Sequence, residues 1–249
     1  MFSSYAHPGR FIRLGEKFLP WCLCLSAAFM MAALYLGLFA SPVDYLQGNT
    51  VRIMYVHVPS AWIGVGLYAS LALMGLVHLV WKHTVAQCSL KPIACVGAVF
   101  TAICLITGSI WGKPTWGTWW VWDARLTSML VLLLLYVGVL AVLEGAEDAQ
   151  RGANSAALLS IVGVVNLPII KWSVTWWNTL HQPASLMKFS TPNIHASMLS
   201  PLILMTVGFV FFVASLIFLL TKKELYERRI LILNISRRVL VERLEGKKD

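Results

Sequence analysis

The stretch LTSMLVLLLLYVGVLAVL, residues 126–143, is an apolar run of eighteen residues that contains no charged side chain. A helix rises about 1.5 Å per residue, so roughly twenty apolar residues cross the hydrocarbon core of a bilayer, which is about 30 Å thick. Backbone polar groups in lipid must find partners within their own segment, which favours a helix over a loop or a lone strand. The stretch therefore predicts a transmembrane helix.

The rest of the sequence repeats this pattern. The chain has 249 residues, of which 58% are hydrophobic and only 12% charged, and its mean hydropathy of +0.73 is too high for an ordinary soluble domain. Its charged residues leave five further charge-free runs, at 18–43, 53–81, 92–112, 152–170 and 189–221. We predict an all-α integral membrane protein with six transmembrane helices, at about 20–40, 60–81, 92–111, 127–143, 153–170 and 200–220. The six-span domain would cover 1–221.

The distribution of lysine and arginine predicts the orientation, because cytoplasmic loops keep an excess of both. With the N-terminus inside, fifteen of the twenty basic residues would be cytoplasmic, nine of them in a tail at 222–249. We therefore predict that both termini are cytoplasmic and that three loops, at about 42–58, 112–126 and 171–198, face the opposite side. The net charge of +9 follows from this topology. It does not indicate nucleic acid binding, because the basic residues are dispersed and no nucleic-acid motif accompanies them.

The basic tail also contains regularly spaced apolar residues. This composition suits an amphipathic helix on the anionic inner leaflet of a membrane. It suits equally well a helix that docks on a cytoplasmic partner. Both interpretations of residues 222–249 stay open at the level of the sequence.

A stretch rich in tryptophan, WGKPTWGTWWVWDARLT at 111–127, leads into the fourth predicted span, and its loop covers 111–126. It contains five tryptophans: Trp111, Trp116, Trp119, Trp120 and Trp122. Interfacial belts place only one or two tryptophans at a helix end, so we interpret the cluster as a flat apolar surface for a planar ligand. If the stretch were helical, Trp116 would align with Trp120 and Trp119 with Trp122. A tightly packed aromatic core is the alternative.

Two histidines fall at the same predicted depth as this cluster. His57, in YVHVP, lies just before the second span, and His181, in WWNTLHQP, ends a short aromatic segment. Trp177 would share a face with His181 if that segment were helical. A third outer histidine, His195, follows STPNI without aromatic neighbours, and we favour a structural role for it. Neutral imidazole is the commonest protein ligand for metals, so the pair predicts a metal-containing ligand.

Positive side chains complete the pattern. Arg52, Lys113 and Lys171 flank the cluster, and Asp123 and Arg125 stand at the outer end of the fourth span. A planar apolar ligand with a central iron and two carboxylates would use imidazoles for the iron, indoles for the macrocycle and cations for the carboxylates. The combination predicts heme b, bound without a covalent link.

The same residues carry a family resemblance. The 111–127 stretch resembles the tryptophan-rich WWD signature of heme-handling proteins in c-type cytochrome biogenesis, and the YVHVP and WWNTLHQP segments resemble its two flanking histidine sites. Length, layout and loop order are similar to the heme exporter protein C family of the cytochrome c maturation system, over about residues 44–183. The resemblance implies that His57 and His181 are the axial iron ligands. It also implies that the platform consists of Trp116, Trp119, Trp120, Trp122 and Asp123, to which we add Trp111 and Trp177.

The resemblance further implies a protein that is not an enzyme. Such a protein binds heme on the periplasmic face of the bacterial inner membrane and delivers it to a membrane-anchored periplasmic heme chaperone. The expected partners are the ATPase and membrane subunits of an ABC transporter and a small single-span membrane protein. The residues implied to position the heme edge and the chaperone are Asp44, Gln47, Arg52 and Arg125.

Two other functions stay open. A heme ligase that attaches heme to apocytochrome would use the same tryptophan signature, although such relatives are longer or have more membrane histidines and a large outer domain. A channel or solute transporter would use the aromatic loop as a gate. The latter expects ionisable residues near mid-span, and the six predicted spans contain no Asp, Glu, Lys or Arg.

Overall fold

The computed structural model describes residues 7–177, 179–181 and 194–245. Within these ranges the chain is helical, and the only backbone pairing outside helices and turns is a single bridge between Asp44 and Gly48. The α-helices are α1 (Pro8–Tyr35), α2 (Met54–Trp81), α3 (Thr84–Trp116), α4 (Ala124–Gly145), α5 (Ala149–Gly163), α6 (Asn166–Trp176) and α7 (Ala196–Glu245). A π-helical turn, Leu36–Ala40, extends α1, and a 3₁₀ turn, Asn49–Ile53, leads into α2. Part of the predicted third outer loop, at 178 and 182–193, and the end of the tail, at 246–249, lie outside the described residues.

Six helical segments among the described residues are long and apolar enough to cross a membrane: Pro8–Ala40, Asn49–Trp81, Thr84–Trp116, Ala124–Gly145, Ala149–Trp176 and Ala196–Leu240. This confirms the predicted all-α fold class with six spans. The helices extend beyond the predicted spans, because backbone hydrogen bonding continues where the apolar sequence stops. The loops are correspondingly shorter than predicted, since α2 begins at Met54 and α3 ends at Trp116.

The fifth span consists of two helices rather than one. Helix α5 ends at Gly163 and α6 begins at Asn166. Pro168 has no N–H with which to bond the carbonyl of Val164, which explains why the α-helix is interrupted here. The buried Asn166 side chain donates to the Ser128 carbonyl of α4 at 2.9 Å and so fixes the start of α6.

A tight turn sets α2 and α3 antiparallel. Lys82 adopts a left-handed conformation with φ 50°, and the His83 ring accepts the Ala86 N–H at 3.2 Å to cap α3. The start of α2 and the end of α3 therefore lie at the same end of the bundle, together with the start of α4 and the end of α6. We call this the tryptophan end.

The core lies among α2, α3, α4 and α5, with α7 packed against it. Tyr68 and Tyr136 are fully buried and meet edge to face, with ring centroids 5.0 Å apart. The Tyr136 hydroxyl donates to the Gly64 carbonyl at 2.7 Å, which satisfies a polar group buried in the apolar interior. Helix α1 joins through α7, where the Ser26 hydroxyl donates to the Gly208 carbonyl at 3.0 Å.

The close approach of α2 to α5 leads to a stability prediction. A Cβ on Gly75 would stand 3.1 Å from the Ala157 Cα, and backbone at that distance cannot yield without separating the helices. We expect Gly75→Ala to destabilise the protein by about 1–3 kcal/mol, the usual cost of overpacking. Gly66→Ala on the same helix is the control, because nothing lies within 4 Å of its added Cβ. Thermal unfolding in detergent distinguishes the two, and equal midpoints would contradict the packing.

The basic tail continues the sixth span as one helix. Helix α7 runs from Ala196 to Glu245, so the predicted boundary at 221/222 falls inside it. The base of this extension is tied to α3, where Arg228 donates to the Gln87 side chain and Lys91 lies 3.9 Å from Glu224. Beyond this point Ile230 and Leu233 are exposed. The role of the tail stays a prediction.

Candidate functional site

The tryptophan stretch forms the end of α3 and a short irregular segment. Gly117, with φ 76°, ends the helix, and its N–H donates to the Lys113 carbonyl at 3.0 Å. Helix α4 begins only at Ala124, so 117–123 are not helical and the conditional helical alignment of the tryptophans does not apply. Trp120 and Trp122 instead meet edge to face, with centroids 5.4 Å apart at 78°. The irregular backbone turns neighbouring indoles in different directions.

These indoles differ in exposure. Trp119 is 57% and Trp122 75% exposed, whereas Trp111, Trp116 and Trp120 are partly buried. The Trp120 indole N–H is buried and finds no acceptor among the described residues. The exposed indoles of Trp119 and Trp122 form an aromatic surface that suits a largely apolar ligand.

His57 lies in the first turns of α2, rather than before the span, and α3 holds its ring. Its Nδ1 is 3.0 Å from the Cys104 carbonyl oxygen and 3.1 Å from the Thr107 hydroxyl. The Trp111 ring meets the imidazole edge to face at 5.7 Å. With Nδ1 engaged, Nε2 is the atom that remains for a ligand.

The loop before α2 supports this arrangement through Trp111. The Trp111 indole N–H donates to Gln47 Oε1 at 2.8 Å. Asp44 Oδ1 accepts the N–H groups of Leu46 and Gln47 at 2.9 and 2.7 Å, which closes the turn that presents Gln47. Both residues thus contribute to the ring packing around His57. Their predicted role in partner binding stays a prediction.

His181 is held by Asp123, which also caps α4. Asp123 Oδ1 accepts the Leu126 N–H at 2.7 Å, and Oδ2 accepts the Thr179 hydroxyl. The Thr179 hydroxyl oxygen in turn accepts the backbone N–H of His181 at 3.1 Å. The ring Nδ1 of His181 stands 3.5 Å from Asp123 Oδ2. Trp116 packs against the ring, with centroids 4.9 Å apart. As at His57, Nδ1 faces an oxygen acceptor and Nε2 is left available.

The charge states of this pair follow from its surroundings. Burial lowers the pKa of His181 below its ordinary value; the Asp123 carboxylate opposes the shift, and the Arg125 charge adds to it. Burial alone would raise the pKa of Asp123, but the hydrogen bonds from Leu126 and Thr179 and the adjacent His181 bring it below its ordinary value. At pH 7 the contact therefore joins a carboxylate to a neutral imidazole, the protonation state that ligates iron.

Arg125 brings a positive charge to both histidines. The two imidazoles interact electrostatically with each other, and the guanidinium with both of them and with Asp123. The Arg125 side chain is partly buried, and among the described residues it forms no hydrogen bond and no ion pair within 4 Å. A guanidinium without a fixed partner in such a place suits a carboxylate of a bound ligand.

The other predicted cations and aromatics have different surroundings. Arg52 Nη2 donates to the Ser41 carbonyl at 3.4 Å, and its Nε is buried without a partner among the described residues. Lys113 bonds the Gly117 carbonyl at 2.9 Å, and Lys171 lies 6.0 Å from the Trp172 ring centroid. The described contacts of these three cations are with residues other than the two histidines, and their role stays a prediction.

Trp177 and His195 also stand apart from the two histidine contacts. Helix α6 ends at Trp176, so the condition for a shared helical face of Trp177 and His181 is not met, and Trp177 is exposed beside Trp176. The exposed His195 ring bonds Ser197 at 2.7 Å in the first turn of α7. The structural role favoured for His195 stays a prediction.

The donor set fits heme better than a bare metal ion. Among the described residues no group of three or more His, Cys, Asp and Glu side chains could hold a metal ion, and a structural zinc site takes four ligands. Two imidazoles with available Nε2 atoms suit an iron whose other four ligands come from a porphyrin. The exposed indoles suit its macrocycle, and Arg125 suits one of its carboxylates.

The residues that orient the histidines were not among those predicted from the sequence. Cys104 and Thr107 hold His57, and Thr179 links His181 to Asp123. One signal was available: Cys104, Thr107 and Trp111 are spaced three and four apart on one face of a span that is otherwise apolar. Nothing in the sequence indicated that this face meets His57.

Residues 1–235 of the chain match the family model for heme exporter protein C. The heme exporter protein C of Bradyrhizobium diazoefficiens is 44% identical over 225 residues, which cover 90% of this chain and 85% of that protein. The heme exporter protein C of Haemophilus influenzae is 48% identical over 206 residues, which cover 83% of this chain and 84% of that protein. That of Escherichia coli is 47% identical over 211 residues, which cover 85% of this chain and 85% of that protein. The chain belongs to the heme exporter protein C family.

Proposed function

We propose that this protein binds heme b at the tryptophan end, without a covalent link, and delivers it to a periplasmic heme chaperone for c-type cytochrome biogenesis. The observation that carries the proposal is the paired histidines. Each presents Nε2 while an oxygen acceptor engages Nδ1, and each ring packs against a tryptophan of the WWD stretch. Family membership supports the same ligand, because the relatives are named heme exporters.

In this proposal the protein's own groups hold the iron, the ring and the carboxylates separately. His57 and His181 are the axial ligands, since a neutral imidazole whose Nδ1–H is held by an oxygen donates through Nε2. The exposed faces of Trp119 and Trp122 cover the macrocycle. Arg125 pairs with a heme carboxylate, and Arg52 is a second candidate for that role.

Delivery requires the site to open on one side of the membrane. Both histidines lie at the end of the bundle where Trp119 and Trp122 are exposed, so the ligand enters and leaves there rather than through the apolar core. The basic residues favour the periplasmic face of a bacterial inner membrane for this end, with both termini cytoplasmic. The chain is a transfer component rather than an enzyme. ATP hydrolysis is assigned to ABC transporter subunits, which with a small single-span protein would complete the complex.

An absorption spectrum of the purified protein tests heme binding directly. We expect a b-type spectrum of six-coordinate, low-spin iron, and the heme should be extractable into acidified organic solvent because no covalent bond holds it. Adding a purified periplasmic heme chaperone should then move heme to the chaperone, measured after the two proteins are separated. A protein that binds no heme, or holds it covalently, would contradict the proposed binding. Binding without transfer would contradict the proposed delivery.

A further inference from the structure

We propose that Thr107 and Gly108 are positioning residues for His57: Thr107 fixes which imidazole nitrogen carries the proton, and Gly108 leaves the space that the ring occupies. The inference rests on the proposed function, because it concerns how one iron ligand is presented. It goes beyond that function, because neither residue belongs to the tryptophan stretch or to the histidine segments. Both lie on α3, whereas His57 lies on α2.

The hydrogen bonds around Nδ1 determine the tautomer. The Cys104 carbonyl at 3.0 Å can only accept, so Nδ1 must donate to it. The Thr107 hydroxyl donates its hydrogen to the Ile103 carbonyl at 2.6 Å, so its oxygen is left to accept from Nδ1, which is 3.1 Å away. Both oxygens are therefore acceptors for Nδ1–H. Neutral His57 then carries no proton on Nε2, which leaves that lone pair for iron.

The next residue provides the space. A Cβ built on Gly108 would stand 3.0 Å from Cε1 of His57, which is tighter than ordinary Cβ contacts, and 3.5 Å from Nδ1. Cε1 lies between the two nitrogens, so a methyl group there presses on the ring edge that carries both of them, and the imidazole must shift by a few tenths of an ångström. Thr107 and Gly108 thus act on the same ring by different means, one through a hydrogen bond and the other through free volume.

These two roles predict different consequences for substitution. Thr107→Val keeps the shape but removes an acceptor, which weakens the electron donation of the imidazole, since second-shell acceptors raise ligand basicity. We expect about tenfold faster loss of heme, the lower end of the usual second-shell effect because the Cys104 carbonyl remains. The midpoint potential of the bound iron should rise, because a weaker donor stabilises the ferric state less. Thr107→Ser should restore both properties.

The chain offers matched controls on the same or a neighbouring helix. Thr101 makes the same bond to its own helix, to the Gly97 carbonyl at 2.7 Å, but its hydroxyl does not bond His57, so Thr101→Val tests a purely structural loss. Gly108→Ala should accelerate heme loss even with the Thr107 hydroxyl present, whereas Gly66→Ala should not, because no atom lies near its added Cβ.

The experiment loads full-length protein in detergent with heme and follows transfer to excess apomyoglobin, together with a redox titration and thermal unfolding of each variant. The proposal requires Thr107→Val and Gly108→Ala to lose heme faster than Thr101→Val and Gly66→Ala, with a raised potential for Thr107→Val that Thr107→Ser reverses. Equal rates and potentials for Thr107→Val and Thr101→Val would overturn the positioning role while leaving heme binding intact. If the unsubstituted protein takes up no heme, the result contradicts the proposed function and with it the positioning role that rests on that function.

Discussion

Replacing His57 or His181 by alanine should abolish the six-coordinate, low-spin spectrum of the heme-loaded protein. Each substitution removes one of the two Nε2 atoms that the structure leaves available, and no third His, Cys, Asp or Glu among the described residues completes a cluster with them. The remaining imidazole would leave five-coordinate iron with a shifted Soret band. Loss of a residue that only supports a metal ligand lowers metal affinity by about 10–100-fold. Loss of the ligand itself should cost at least as much, so heme content after purification should fall by about tenfold or more.

His195→Ala is the control for this pair. His195 also lies outside the predicted spans near the tryptophan end, but its ring bonds Ser197 at the start of α7, and among the described residues it shows no ring contact with a tryptophan. Its replacement should leave heme content and spectrum unchanged. Added imidazole should restore the low-spin spectrum in His57→Ala or His181→Ala by filling the vacated position. An unaltered spectrum in both alanine variants would remove the axial assignment.

Asp123→Asn should weaken heme retention by about 10–100-fold, because it removes the partner that orients a metal ligand. The carboxylate bonds Leu126 through Oδ1 and both Thr179 and His181 through Oδ2. An asparagine that keeps its oxygen on the Leu126 N–H presents NH₂ at the other position, where it cannot accept from the imidazole. The helix cap would survive, since Asn caps about as well as Asp, so heme affinity should fall with little loss of stability.

Asp148→Asn separates the two roles of such a carboxylate. Asp148 caps α5 through the same geometry, accepting the Arg151 N–H at 2.6 Å, but lies at the opposite end of the bundle from the histidines. We expect it to leave heme retention unchanged. Similar heme loss in both variants would mean that the Asp123 effect comes from capping or charge in general.

The same substitution should change the titration of His181. Without ligand, burial holds the pKa of His181 below its ordinary value, and the Asp123 carboxylate opposes that shift. Removing the negative charge should lower the pKa further, so the imidazole would stay neutral to a more acidic pH in Asp123→Asn. NMR titration of labelled histidine in the heme-free protein measures this, and an upward shift would contradict the described contact.

The sequence alone predicted the membrane architecture because apolar length is a local property. A run such as 126–143 must be helical in lipid whatever surrounds it, so six runs gave six spans. The tryptophan stretch and the two histidines were visible for a similar reason, since residue type and spacing suffice to indicate a planar, iron-containing ligand. The break at Val164 and Val165 was also present in the sequence, as Pro168, although only the structure showed its effect on the chain.

The contacts that orient the histidines depended on tertiary structure. His57 meets Cys104 and Thr107 because the turn at Lys82 and His83 sets the register of two antiparallel helices, and a shift of one residue would turn a different face of α3 toward the ring. Asp123 reaches Thr179 and His181 because the end of α6 returns to the start of α4. Hydropathy indicates which residues enter the membrane but not which helix faces meet, since all the spans are similarly apolar. Side-chain packing decides that register, and with it the nitrogen that each histidine presents.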